Sequence, residues 1–98
     1  MTIQQKMDGT HLEVAVEGRL DTMTAPELEA ALAKSMDQAE TLTLDFSNLN
    51  YISSAGLRVL LTAHKTMSRK GGMKVLHVND IVQEVFDVTG FADILTIE

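Results

Sequence analysis

Two adjacent serines, Ser53 and Ser54, form the residue pattern of this chain that is best suited to chemistry. They follow a buried-strand pattern and a short loop, and they precede an apolar segment with helical periodicity. At the start of a helix the first backbone N–H groups lack partners and point outward, which suits a phosphate. The pattern therefore predicts small hydroxyls at a helix start, where they act either as a phosphate acceptor or only as a helix cap.

Ser54 is the first candidate residue, as a phosphate acceptor. A serine hydroxyl is a weak nucleophile by itself, but a kinase that binds it supplies the base, the metal and the ATP. Phosphorylation adds roughly −1.5 to −2 charge, and the dipole of the helix offsets about 0.3–1 kcal/mol of its local cost. We therefore expect a phosphate on Ser54 to leave the fold intact and to repel a complementary protein surface.

Asp21 is the second candidate, because it lies in a loop between a predicted strand and a predicted helix. Thr24 and Glu27 have the spacing of a capping box and predict where that helix begins. Asp21 then either belongs to a site at the edge of the sheet or is a solvated loop carboxylate. Met23 either is exposed at an interface or folds inward as an apolar staple before the helix.

The sequence offers little for catalysis. Its three histidines lie on three different predicted elements, with no metal-ligand spacing between any two. A nucleophile elbow needs glycine two residues before and two residues after its serine, whereas Ser54 has Ile52 before it and Gly56 after it. A hydrolase is therefore disfavoured, and no metal and no cofactor is expected.

Composition narrows the class of protein further. The 98 residues are 45% hydrophobic and 22% charged, carry a formal net charge of −6 and include no cysteine. These values indicate one globular domain over residues 1–98 without disulfides. The negative charge argues against nucleic acid and anionic membranes as partners. The sequence has neither a signal-peptide pattern nor an apolar span, so we expect a cytoplasmic protein.

Strand and helix patterns alternate along the chain. Segments near 2–7, 11–17 and 41–46 alternate with period two and indicate strands, as do the apolar segments at 73–78 and 94–97. Helical spacing indicates three helices between the strands. Asp8-Gly9 is typical of a hairpin turn, and Gly90 is typical of a helix end. The predicted order is β β α β α β α β, which indicates an α/β fold with a mixed sheet.

Several of these segments resemble the STAS-domain family, the bacterial anti-sigma-factor antagonists. The resemblance covers essentially the whole chain, and its markers are specific when taken together at this order and spacing. The markers are Gly18-Arg19-Leu20-Asp21 with Thr24-Ala25, Leu44-Asp45-Phe46 through Tyr51-Ile52-Ser53-Ser54-Ala55-Gly56-Leu57, Gly72-Met73-Lys74-Val75, and Val85-Phe86-Asp87-Val88-Thr89-Gly90-Phe91.

The resemblance implies a mixed four- to five-stranded sheet with helices packed on one side, and a protein that binds rather than catalyses. It implies that the unphosphorylated chain binds an anti-sigma factor that is itself a serine kinase, releasing a sigma factor. A metal-dependent serine phosphatase would reverse the phosphorylation. Aligned with the family motif, the acceptor serine is Ser54. The residues expected to contact the partner are Asp21, Thr22, Met23, Ser53, Ala55, Gly56 and Arg58.

Three positions depart from the family pattern Asp-Ser-Ser/Thr-Gly-Leu-Gly. Ser53 replaces the aspartate, Ala55 replaces the second hydroxyl residue, and Arg58 replaces the second glycine. Arg58, one turn from Ser54, either pairs with a phosphate there or is a solvated helix residue. The alternative function is a STAS scaffold or subunit of a sensory, secretion-regulatory or lipid-transport complex, without phosphorylation of Ser54.

Overall fold

Alternation of apolar side chains along the strands shows how the sheet is built. In the second strand Leu12, Val14 and Val16 are buried, while the residues between them lie on the opposite face. The third strand repeats the pattern with buried Leu42 and Leu44. The computed structural model describes all of residues 1–98. One face of the sheet therefore packs against the helices and the other is open.

The elements follow the predicted order with two additions. A short strand, β4, precedes the second helix in a segment for which the sequence predicts a loop, and a 3₁₀ turn precedes the last strand. The bounds are β1 Thr2–Asp8, β2 His11–Leu20, α1 Ala25–Met36, β3 Thr41–Asp45, β4 Leu49–Ile52, α2 Ser54–Ser68, β5 Met73–Leu76, α3 Asp80–Thr89 and β6 Thr96–Ile97.

The sheet is mixed, as predicted, and has six strands where four to five were expected. Its main path runs β1-β2-β3-β5-β6, and β4 pairs separately with β2. Only β1 runs antiparallel to its neighbour, through a hairpin that closes at Asp8 and His11. All other pairs are parallel. The α/β class and the mixed sheet are therefore confirmed.

β2 changes its pairing partner halfway along its length. Residues 11–15 pair with β3, whereas residues 18–20 pair with β4. The change occurs at a register shift between Gly18 and Arg19, where Gly18 adopts φ +96° and donates its N–H to Asn48 O at 2.9 Å. A left-handed backbone favours glycine. The shift places the ends of β2 and β4, Leu20 and Ile52, side by side.

A single apolar core holds the helices on the sheet. It contains 24 buried hydrophobic residues, of which Phe46 and Phe86 are the largest fully buried ones. α3 begins after Asn79, whose side chain accepts the N–H of Val82 at 2.8 Å and caps the helix. It ends at Gly90 with φ +81°, which confirms the end predicted from the sequence.

The first turn of α2 packs unusually close to the sheet. A Cβ added at Gly56 would lie 2.7 Å from Cγ of Leu20 and 2.9 Å from Cγ1 of Ile52. Glycine therefore allows the helix start to approach the two strand ends that carry the neighbouring loops.

We expect Gly56→Ala to lower the free energy of unfolding by about 1–3 kcal/mol, because an added methyl group overpacks this contact. The higher helix propensity of alanine recovers only part of that loss, since it is worth about 1 kcal/mol. Denaturant unfolding measures the change. Thr62→Ala, on the exposed face of the same helix, is the matched control and should be neutral; equal stability of both variants would contradict the packing role.

Candidate functional site

The start of α2 separates the two serines into different roles. Ser53 is the N-cap, and its side-chain oxygen accepts the N–H of Gly56 at 3.4 Å. Its carbonyl accepts the N–H of Leu57 at 2.9 Å. Ser54 is the first helical residue and is exposed. Since Ser53 performs the capping, the hydroxyl of Ser54 is left accessible.

A backbone hydrogen bond joins this helix start to the loop after β2. The N–H of Ser53 donates to the carbonyl of Leu20 at 2.9 Å. Asp21 is the next residue in the chain, so the structure places the Asp21 loop and the Ser54 turn at the same edge of the sheet. This edge lies at the carboxyl ends of parallel strands, where ligands of open α/β sheets usually bind.

Asp21 organises the loop that contains it. Its carboxylate oxygen Oδ1 accepts the N–H groups of Met23 and Thr24 at 3.0 and 3.1 Å. Its carbonyl accepts the N–H of Ala25 at 2.8 Å. Asp21 therefore fixes the chain as it enters α1, and it is half-buried rather than a freely solvated carboxylate.

The predicted capping by Thr24 is wrong. Thr24 precedes α1 but makes no side-chain hydrogen bond to the helix. Its hydroxyl instead accepts the N–H of Asp21 at 2.9 Å and donates to the carbonyl of Arg19 at 2.7 Å. The N–H of Glu27, which a capping Thr24 side chain would accept, donates instead to the carbonyl of Thr24 at 3.0 Å.

Two residues at this edge, Arg19 and Tyr51, were absent from the predicted site. They are paired across β2 and β4, and the guanidinium carbon of Arg19 lies 4.3 Å from the centre of the Tyr51 ring. Arg19 Nε also lies 3.7 Å from Asp21 Oδ2. The motif Gly18-Arg19-Leu20-Asp21 could have indicated Arg19 as a site residue. Its contact with Tyr51 depends on the pairing of β2 with β4, which the sequence does not reveal.

Opposing effects set the pKa of Asp21. Partial desolvation acts to raise the pKa, but the hydrogen bonds from Thr24 and Met23 and the charge of Arg19 outweigh it. The pKa of Asp21 is therefore lowered, and its carboxylate is ionised at neutral pH. An anion and an accessible hydroxyl thus lie at one edge of the sheet.

The remaining predicted contact residues differ in their accessibility. Met23 is 86% exposed, so the interpretation that it folds inward is excluded. Thr22 and Arg58 are also exposed, and Arg58 forms no ion pair within the chain. Ala55 is partly buried against the core. Gly56 is buried and packs on the strands, so the structure gives it a packing role, and its predicted contact with a partner stays a prediction.

A second polar cluster lies at the ends of β3 and β5. Nδ1 of His77 lies 3.0 Å from Oδ1 of Asp45 and 3.1 Å from Oγ of Ser47. The hydroxyl of Ser47 donates to the same carboxylate oxygen. The hydrogen bond from Ser47, followed by the hydrogen bond and charge of His77, outweighs desolvation and lowers the pKa of Asp45.

These three residue types are those of a hydrolytic triad, but their connections differ. A triad needs the imidazole between the hydroxyl and the carboxylate, whereas here the Ser47 hydroxyl donates directly to Asp45. The imidazole and the hydroxyl both contact the same carboxylate oxygen, so the imidazole does not lie between the other two groups. Nor does any group of three or more His, Asp or Glu side chains have the arrangement to hold a metal ion.

None of the three helices has the length and apolar character needed to cross a membrane.

Comparison with known sequences identifies relatives across the whole domain. The family model described as "Mlab, STAS domain" matches residues 3–96. A protein of Bordetella bronchiseptica named BtrV, a candidate anti-sigma factor antagonist, is 39% identical over 94 residues, covering 94% of this chain and 80% of the relative. The anti-sigma-B factor antagonist of Bacillus subtilis is 26% identical over 98 residues, covering 99% and 90% of the two chains.

Solved structures share the fold. The anti-sigma factor antagonist SpoIIAA in its unphosphorylated form superposes with a TM-score of 0.84, at 19% identity, over 99% of this chain and 88% of its own. The Bacillus SpoIIAA in the phosphorylated form superposes with a TM-score of 0.76, at 17% identity, over 99% of this chain and 91% of its own. The match of the family model to nearly every residue, together with this shared architecture, shows that the chain belongs to the STAS domain family.

Proposed function

We propose that this chain is an anti-sigma factor antagonist, a binding module rather than an enzyme, and that phosphorylation of Ser54 switches its binding. The partner is an anti-sigma factor that is also a serine kinase. A metal-dependent serine phosphatase restores the unphosphorylated form. The observation that supports the switch is the exposed hydroxyl of Ser54 beside the Asp21 loop, with Ser53 supplying the helix cap.

The start of α2 has a geometry that can accommodate a phosphate on Ser54 without loss of the fold. The N–H groups of Ser54 and Ala55 are in the first turn of α2 and have no partner within the helix. They face the same end of the helix where the phosphate would be attached, and the helix dipole favours an anion there. The phosphate would therefore be accommodated without unfolding the first turn.

The same phosphate would change the docking face. The face contains the ionised carboxylate of Asp21, the exposed apolar side chain of Met23 and the hydroxyl of Ser54. Adding roughly −1.5 to −2 charge beside Asp21 turns a mixed apolar and polar surface into a strongly anionic one. A partner surface complementary to the unphosphorylated face would then meet repulsion and unpaired charge. The STAS fold itself is known in both forms, since SpoIIAA has been solved with and without the phosphate.

The first prediction concerns the site of modification. We expect the protein isolated from its source cell to carry one phosphatase-sensitive phosphoryl group in part of the population, and Ser54→Ala to carry none. Intact mass measurement with and without phosphatase treatment checks this. Ser68→Ala, at the other end of the same helix and also exposed, is the matched control and should keep the group.

An absence of phosphoryl groups from the isolated protein under all growth conditions would contradict the switch and would favour the scaffold function. Retention of the group in Ser54→Ala would place the modification elsewhere.

The second prediction concerns binding. Ser54→Asp should weaken binding to the anti-sigma factor by more than ten-fold, because it adds a negative charge at the centre of the docking face, and it should leave the melting temperature within about 2 °C. Titration calorimetry with the partner co-purified from the source cell measures the affinity. Ser68→Asp should bind as the natural chain does. Equal affinities of the two Asp variants would contradict the proposed docking face.

The third prediction separates the two roles of Asp21. Asp21→Asn retains an oxygen that accepts the N–H groups of Met23 and Thr24, so it should keep the melting temperature while weakening binding. Asp21→Ala should weaken binding and also lower the melting temperature by roughly 4–8 °C, the shift that the loss of one capping interaction causes in a domain of this size. Thermal unfolding and titration measure the two effects.

Asp37→Asn is the control for charge removal, since Asp37 is exposed at the other end of α1. If Asp21→Asn bound the partner as tightly as Asp37→Asn does, the charge of Asp21 would have no part in docking.

A further inference from the structure

The charge of this chain is concentrated at its C-terminal end. Residues 75–98 contain five of the 14 carboxylates and none of the eight lysines and arginines, whereas residues 1–74 are close to balance. Of the five, only Glu98 has an ion-pair partner, with Lys74 Nζ at 3.5 Å. Asp80, Glu84 and Asp87, all on α3, are exposed and unpaired by any cation.

α3 also exposes apolar side chains. Ile81 is 60% exposed and Val88 is 77% exposed, and Val85 lies between them, partly buried. The spacing i, i+4, i+7 places these three residues in one row along the helix. α3 instead buries Val82 and Phe86, and Val85 packs partly against the core, so Ile81 and Val88 are the apolar side chains that the helix leaves largely exposed.

The acidic row and the apolar row run side by side. Each row has the spacing i, i+4, i+7. The apolar row starts one residue after the acidic row, so the two rows are about 100° apart around the helix axis. We name the two rows together the α3 face, and its members are Asp80, Glu84, Asp87, Ile81, Val85 and Val88. The side-chain amide of Gln83 donates to Asp87 at 3.0 Å, which leaves the charge of that carboxylate in place.

We propose that the α3 face is a second docking surface, and that its occupant is a basic amphipathic segment of a partner protein. Apolar residues of the segment would cover Ile81, Val85 and Val88, while its lysines or arginines would meet the adjacent carboxylates. A second copy of this chain fits poorly, because its own α3 face would oppose like charges. The inference is independent of phosphorylation, since α3 contains neither Ser54 nor any residue of its loop.

A peptide titration tests this surface. The probe is a helical peptide of leucine and lysine with leucine at i, i+4 and i+7, and it is titrated into the isotope-labelled full chain by NMR. We expect the amide signals of residues 79–90 to shift most. The same peptide with glutamate in place of lysine should bind at least ten-fold more weakly, and so should a lysine peptide with serine in place of leucine.

Variants separate the apolar contribution from charge. Val88→Glu makes the surface more acidic, yet it should weaken binding of the leucine–lysine peptide at least five-fold because it breaks the apolar row. Met23→Glu, which adds the same charge at an exposed apolar residue of the Ser54 edge, should leave the affinity within two-fold, as should Ser54→Asp. Glu84→Gln together with Asp87→Asn should weaken binding and reduce its salt dependence.

Three outcomes would overturn the proposal. The first is a set of shifted signals that spreads over the whole surface or centres on residues 19–24 and 51–58, since that would show general attraction or binding at the Ser54 edge. The second is equal binding by Val88→Glu and Met23→Glu. The third is dimerisation that rises with protein concentration in sedimentation experiments and is abolished by Val88→Glu. That result would assign the α3 face to a second copy of the chain.

Discussion

The candidate site depends on the close contact between the end of β2 and the start of α2. The carbonyl of Leu20 accepts the N–H of Ser53, and Gly56 leaves room for the side chains of Leu20 and Ile52. Without this contact, the Asp21 loop and the Ser54 turn would be two separate surface features. The change of pairing partner within β2 makes the contact possible, because it brings β4 alongside the last residues of β2.

At this edge of the sheet, one residue holds the backbone by hydrogen bonds while a residue near it in the chain is exposed. Ser53 caps the helix so that Ser54 remains free, and Asp21 holds its own loop so that Met23 projects from it. In each case a polar side chain that satisfies backbone N–H groups positions an exposed neighbour. Such an arrangement lets a charge be added at Ser54 while the hydrogen bonds that hold the loop and the helix start remain intact.

The two surfaces of the chain differ in their electrostatics. The Ser54 edge combines an anion, the cation of Arg19 and an apolar side chain, and the proposed phosphate on Ser54 would alter its charge. The α3 face contains three carboxylates and has no lysine or arginine of its own. If both proposals hold, phosphorylation would change one surface and leave the other unchanged, so the protein could hold one partner while releasing another.

Local patterns in the sequence determined the α/β class, the hairpin at Gly9, the end of α3 at Gly90 and the position of Ser54 at a helix start, because each depends on residues a few positions apart. The tertiary structure decided what depends on distant pairing. β4 is too short to show a period of its own, the Thr24 hydroxyl donates to the Arg19 carbonyl instead of capping α1, and Arg19 meets Tyr51 only through the register of β2 and β4. Packing likewise decided that Met23 is exposed and Gly56 is buried. The type of a residue indicates only how often it is buried, and its neighbours in space determine whether it is.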